Sequence, residues 1–221
     1  MKKIGLVTIG QAPRTDLTPE LKMILGEDVH IEEKGALDGL SMEEVKELYP
    51  KQTEEVLVTR MADGTEVKIA GEKVFPLLKE RIIELEKSNI NVIFLACTGE
   101  FPDLDTEALL IRPQKLLYYT IKAIAQDKTL GVAIPNQDQV QSAYERWQEA
   151  AEKVVVEACS PYGDIDEVTA AADKLARSKV DIIVMDCIGY TMKMKEMVHD
   201  KTKIPVVLAR SISAKIISEL V

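Results

Sequence analysis

Twice in this chain a short apolar run ends on the same pattern, Cys-x-Gly. The first is Asn91-Val92-Ile93-Phe94-Leu95-Ala96-Cys97-Thr98-Gly99, and the second is Asp181-Ile182-Ile183-Val184-Met185-Asp186-Cys187-Ile188-Gly189. Each follows a stretch of helical period, about Gly71 to Lys87 and about Asp164 to Ser178. A short apolar run between helical patterns reads as a strand buried on both faces, the kind found in parallel sheets covered by helices. Such alternation restricts the chain to the α/β class.

A second matched pair precedes the first. Gly5-Leu6-Val7-Thr8-Ile9-Gly10-Gln11 resembles Gly131-Val132-Ala133-Ile134-Pro135-Asn136-Gln137. From Gly5 to Cys97 is 92 positions (97 − 5), but from Gly131 to Cys187 only 56 (187 − 131). The excess lies largely in Ser41 to Ala70, which reads as an insertion in the first half. Ser41-Met42-Glu43-Glu44 is a capping box opening a short helix. Val56-Leu57-Val58-Thr59 and Thr65-Glu66-Val67-Lys68-Ile69 flank Asp63-Gly64, a hairpin signal.

Elsewhere Thr18-Pro19-Glu20 reads as a helix start with Thr18 as N-cap, and Val29 to Lys34 as a strand. After Arg112-Pro113 the pattern predicts a helix to about Gln126, a strand Leu130–Ile134, and mostly helix from Asn136 to Lys153. A strand Val154–Ala158 follows, then a helix capped by Asp164, a helix over Met192–His199, a strand Val206–Leu208 and a last helix from Ser211. The expectation is two doubly wound, pseudo-symmetric domains with four-stranded parallel sheets in the order 2-1-3-4. The first would cover 1–112 with 210–221 and the second 113–209, with the extra β-hairpin in the first half.

The chain has 221 residues, 28 basic against 37 acidic, for a net charge of −9. That acidity, without a Lys/Arg run, excludes nucleic acid and anionic membrane faces as expected partners. The apolar run after Lys2-Lys3 stops at Gly10, and nothing approaches the roughly 18 apolar residues of a membrane helix. The three cysteines form no Cys-x-x-Cys pair, as expected for reduced thiols in a cytoplasmic protein.

A duplicated α/β unit puts Cys97 and Cys187 at the carboxyl ends of parallel strands, where open sheets bind ligands. The loop from Gly10 to Thr15 is the candidate anion site, through its backbone N–H groups and a bidentate contact from Arg14. Gly10 and Gln11 belong to that loop, and Thr8 stands just before it. Thr98, Gly99 and Glu100 stand beside Cys97, and Gly189 and Tyr190 beside Cys187. The plainer alternatives are a buried small hydrophobe for each cysteine, a surface charge for Arg14 and Glu100, and a structural role for Cys159. Asp186 beside Cys187 opposes a second negative charge and favours the thiol there. Cys97, Glu100, Asp103 and Asp105 match no standard zinc spacing, and no metal is expected. Without a Walker or Gly-x-Gly-x-x-Gly motif, no nucleotide cofactor is expected either.

The segments Thr8-Ile9-Gly10-Gln11-Ala12-Pro13-Arg14, Cys97-Thr98-Gly99-Glu100-Phe101 and Met185-Asp186-Cys187-Ile188-Gly189-Tyr190 resemble the AroM family. More broadly the chain resembles the aspartate/glutamate racemase superfamily, which implies two α/β domains with one catalytic cysteine from each. Cys97-Thr98 matches the first racemase motif. Cys187 matches the second in position, but Asp186-Cys187-Ile188-Gly189 stands where racemases usually carry Gly-Cys-Thr-His. The resemblance implies a cofactor-independent isomerase or racemase acting on a small carboxylate, one thiolate removing a proton from a carbon while a thiol delivers one to the other face. A non-catalytic small-acid-binding protein is the alternative. A homodimer is expected, with the hairpin as a flap or dimer contact.

Overall fold

The first strand, β1 (Lys2–Thr8), is exposed over two residues and buried over the next five, the burial of a strand deep in a parallel sheet. The computed structural model describes residues 2–221. It divides into two compact units, one running to Arg112 and taking in Lys215–Val221, the other Pro113–Ala214.

In the first unit β1 is followed by α1 (Thr18–Leu25), β2 (Val29–Gly35), α2 (Met42–Glu47), β3 (Val56–Arg60), β4 (Glu66–Ala70), α3 (Gly71–Lys87), β5 (Val92–Leu95) and β6 (Leu109–Ile111). The parallel sheet runs β2-β1-β5-β6, and β3 and β4 form a separate antiparallel hairpin. The second unit holds α4 (Pro113–Ala125), β7 (Thr129–Ile134), α5 (Val140–Trp147), β8 (Lys153–Ala158), α6 (Ile165–Arg177), β9 (Ile182–Met185), α7 (Met192–Thr202) and β10 (Val206–Leu208), and α8 (Ala209–Leu220) is divided, its residues from Lys215 on belonging to the first unit. Its parallel sheet runs β10-β9-β7-β8. Counted by parallel strands alone, both sheets have the order 2-1-3-4. The hairpin has no counterpart in the second unit.

The repeat holds at the level of single atoms. Gly5 faces Ile93 across β1 and β5, and Gly131 faces Ile183 across β7 and β9. A Cβ at Gly5 would lie 2.9 Å from Leu85 and 3.0 Å from Ile90; one at Gly131 would lie 3.2 Å from Leu175 and 3.0 Å from Val180. Leu175 follows Leu85, Val180 follows Ile90 and Cys187 follows Cys97 by the same 90 positions (175 − 85, 180 − 90, 187 − 97). At both places the missing Cβ lets a buried leucine of the covering helix rest close on the strand. Burying each such leucine contributes about 1.5–3 kcal/mol. Both helices then end alike. Asn89 and Lys179 take left-handed φ of 58° and 56°, turning the chain from helix into strand.

Several local expectations are corrected. Thr18 is not the N-cap: its hydroxyl donates to Glu33 instead, and Leu17 occupies the cap position. The stretch expected to be mostly helix from Asn136 to Lys153 holds a 3-10 turn, Gln137–Gln139, and only the eight residues of α5. Its end is set by burial: Trp147, Ala150 and Ala151 all turn into the core. The last helix begins at Ala209, which brings Arg210 into its first turn. The three-residue β6 has no pattern of its own and shows only as the neighbour of β5. The Ser41 capping box forms with both of its bonds, and Asp164 caps α6 by accepting from Asp166 N–H. Among the described residues no helix is long and apolar enough to cross a membrane.

Candidate functional site

The two cysteines end their strands in matching geometry. Beyond β5, Ala96 N–H donates to Val7 O at 2.8 Å; beyond β9, Asp186 N–H donates to Ala133 O at 2.8 Å. The chain then leaves each sheet and turns back on the sulfur. Gly99 N–H donates to Cys97 Sγ at 3.3 Å, and Gly189 N–H donates to Cys187 Sγ at 3.3 Å. Both glycines sit in close packing. A Cβ at Gly99 would sit 2.6 Å from Leu57 of the hairpin, and one at Gly189 would sit 2.6 Å from the Tyr162 hydroxyl. Cys97 is half-buried and Cys187 is buried. Thr98 is buried beside Cys97, while Glu100 is exposed.

The loop after β1 does not present the donors expected of an anion site. Gly10 N–H donates to Thr8 Oγ1 at 3.2 Å, Gln11 N–H to Arg60 O at 3.1 Å, Ala12 N–H to Asp38 Oδ1 at 2.8 Å, and Arg14 N–H to Glu33 Oε2 at 2.7 Å. The loop does bind carboxylates, but they are the protein's own. The Arg14 guanidinium is 4% exposed and forks onto Asp16, with both bonds at 2.8 Å, and it also donates to Thr8 Oγ1. Gln11 donates to Leu37 O and Leu40 O and accepts from Ala62 N–H. Thr8, Gly10, Gln11 and Arg14 therefore lock the loop to the hairpin and to the turn after β2. A Cβ at Gly10 would lie 2.3 Å from Arg60 O and 2.4 Å from Thr59 Oγ1. The sequence reading missed Glu33, Asp38 and Arg60 because each lies on a different element from the loop it holds.

Around Cys187 the side chains differ from those around Cys97. Asp186, buried, accepts from Arg146 Nη2 at 2.6 Å and from Trp147 Nε1 at 2.9 Å, both residues of α5. Arg210, fully buried at the start of α8, donates from Nε to Ile188 O at 3.0 Å and from Nη2 to Gly189 O at 3.2 Å. Neither arginine stood out in the sequence, since their partners lie 40 and 22 positions away. Tyr190, expected to close a pocket, is instead fully buried, and its hydroxyl donates to Cys159 O at 2.6 Å. Burial holds that phenol well above its usual range. Cys159 lies 3.3 Å from the same hydroxyl, and burial pushes its thiol up to about 11. Both groups stay neutral at physiological pH.

Chemically, each unit offers one thiol at the carboxyl end of its third parallel strand, with an amide hydrogen aimed at sulfur. An amide donor favours the charged form of sulfur over the neutral one, so both sites suit proton transfer.

A family model described as AroM protein matches residues 4–221, and the chain belongs to that family. A search of curated proteins finds no sequence match. Among solved structures it is similar to a maleate cis-trans isomerase from Nocardia farcinica, with a TM-score of 0.64 at 15% identity over 99% of this chain and 92% of that one. It is similar to unliganded arylmalonate decarboxylase, with a TM-score of 0.59 at 13% identity over 100% and 91%. The aspartate racemase of Picrophilus torridus gives a TM-score of 0.59 at 14% identity over 97% and 91%. These likenesses establish the fold, which the chain shares with these proteins.

Proposed function

We propose that this AroM-family protein is a cofactor-independent isomerase or racemase acting on a small carboxylate, with Cys97 and Cys187 as its acid–base pair. The observation that carries the reading is the matched sulfur contact, Gly99 N–H on Cys97 and Gly189 N–H on Cys187, both at 3.3 Å. A lone buried cysteine needs no such donor, and two equivalent ones fit a reaction that uses a base and an acid in turn. The thiolate takes the proton from the carbon next to the carboxylate. The other thiol gives its proton to the opposite face, so one C–H bond breaks, one forms, and the charge moves from one sulfur to the other. Fold neighbours named as aspartate racemase and maleate isomerase support the substrate class.

Thr98, Gly99 and Glu100 complete the proposed site beside Cys97, and Gly189 beside Cys187. Thr8, Gly10, Gln11 and Arg14 support it from behind by fixing the loop after β1. Three cysteines outside any disulfide fit a cytoplasmic location, and a homodimer belongs to the same reading.

The test is deuterium incorporation from heavy water into a panel of small chiral and unsaturated carboxylic acids. The wild type exchanges at least one acid, and Cys97→Ser or Cys187→Ser lowers the rate by about 10²-fold or more. Binding without exchange across the panel would instead make the chain a small-acid-binding protein.

A further inference from the structure

The peptide joining Ile188 to Gly189 has both of its polar groups engaged. Its N–H donates to Cys187 Sγ at 3.3 Å, and its carbonyl accepts from Arg210 Nε at 3.0 Å. In a planar trans peptide these two groups point in opposite directions. Guanidinium, peptide and sulfur therefore form one aligned chain. A second bond, Nη2 to Gly189 O at 3.2 Å, fixes the guanidinium plane. Arg210 is 0% exposed, so solvent and salt screen its charge weakly. A cation on an amide oxygen polarises the amide and strengthens its N–H as a donor.

We propose that Arg210 is a positioning residue that acts through the Ile188–Gly189 peptide to make Cys187 the resting thiolate, and hence the proton acceptor, of the cysteine pair. This rests on the two-cysteine reading above and assigns the roles within it. It also reverses the expectation from the Asp186 neighbour alone, because that carboxylate is paired with Arg146 and Trp147 of α5. Tyr190 and Cys159 are held neutral, Tyr162 packs its ring on Gly189, and Lys174 with Glu157 and Glu167 act on Cys159 from β8 and α6. What reaches Cys187 Sγ through the Ile188–Gly189 peptide is the Arg210 cation.

The strand register around Cys97 shows what the device replaces. Ile93 pairs with Leu110 as Ile183 pairs with Val206. Four positions on, Gln114 corresponds to Arg210, and Ala96 corresponds to Asp186. The same backbone thus carries a neutral amide and a methyl group where the second unit carries a cation and a paired carboxylate.

The experiment is a thiolate titration by ultraviolet absorbance in Cys97→Ser, which reports Cys187, and in Cys187→Ser, which reports Cys97. Cys159, pushed up to about 11, stays silent below that range. Cys187 is expected to ionise at lower pH than Cys97. Arg210→Gln in the Cys97→Ser background lowers the thiolate fraction at neutral pH by about tenfold, and Arg210→Lys, which keeps the charge, restores part of it. A lower midpoint for Cys97 overturns the proposal. So does an unmoved Cys187 midpoint in both Arg210 variants, whatever their melting temperatures. If Arg210→Gln does not fold, the comparison of the two serine variants and Arg210→Lys still decides. The titration needs no substrate, so its failure is separate from a failure of deuterium exchange.

Discussion

The Cys97 loop and the Cys187 loop share a backbone and almost nothing else. Each leaves its strand after the same bond to the central strand, and each turns a glycine N–H back on sulfur at 3.3 Å. Around that frame the side chains diverge. The first loop has Ala96 before the cysteine and exposed Glu100 after it; the second has a buried ion pair at Asp186 and a buried phenol at Tyr190. The first unit fixes its neighbouring β1 loop with an inserted hairpin. The second fixes its cysteine loop with Arg146 and Arg210. What is shared is therefore the aim of one donor at each sulfur, and what differs is the charge behind it.

The largest expected effect tests the buried pair. Arg146 and Asp186 have side chains only 14% and 1% exposed. Arg146→Ala strands a buried carboxylate and should cost about 3–5 kcal/mol in urea unfolding. The first-unit pair Arg112–Asp103 has its carboxylate 98% exposed, so Arg112→Ala should cost under about 1 kcal/mol. Equal losses would break the comparison.

The next effect is a pH step that only the second unit contributes. Cys159 is raised from 9.0 to about 11 by burial, so the folded state prefers the neutral thiol. That preference is fully present below about pH 9 and is lost as pH rises towards 11, about 2–3 kcal/mol in all. Tyr190, raised as well, adds in the same direction. By strand register the first-unit counterpart of Cys159 is Ala36, since both donate N–H to the residue ending the central strand. Cys159→Ala should flatten the alkaline fall measured by chemical unfolding at several pH values. An unchanged fall would show that this thiol does not titrate with folding.

The comparison also separates what the sequence made legible from what it did not. The second sheet, three strands of the first, the hairpin and the cysteine positions follow from local periodicity and from one repeat of Cys-x-Gly, which adjacent residues determine, whereas β6 shows only as the neighbour of β5. The side chains that set the charge of each site do not. Arg14 and the glycine-bearing loop looked like an open anion site because the sequence does not reveal that Glu33, Asp38 and Asp16 already occupy it. Arg210 looked like an ordinary residue before a helix because its carbonyl partners are 22 and 21 positions distant. Tyr190 is adjacent to the cysteine loop, yet burial and Cys159 decide what its hydroxyl does. Long-range polar pairing has no periodicity to read.

The smallest effects compare one position in two contexts. Gly10 and Asn136 are equivalent in the repeat, yet one has no side chain and the other uses its own. A Cβ at Gly10 would meet the backbone oxygen of Arg60 at 2.3 Å, and backbone cannot move aside as a flexible side chain can. Gly10→Ala should therefore cost about 1–3 kcal/mol. It should also speed hydrogen exchange at Gln11 and Ala62, whose N–H groups tie the loop to the hairpin. Asn136→Ala meets no such wall. It removes the bond from Asp138 N–H to Asn136 Oδ1, 3.0 Å long and exposed, at a cost of about 0.5–1 kcal/mol, with exchange altered only at the 3-10 turn. If Gly10→Ala proved as mild as Asn136→Ala, the hairpin would be a loose cover rather than the fixed wall of the first unit.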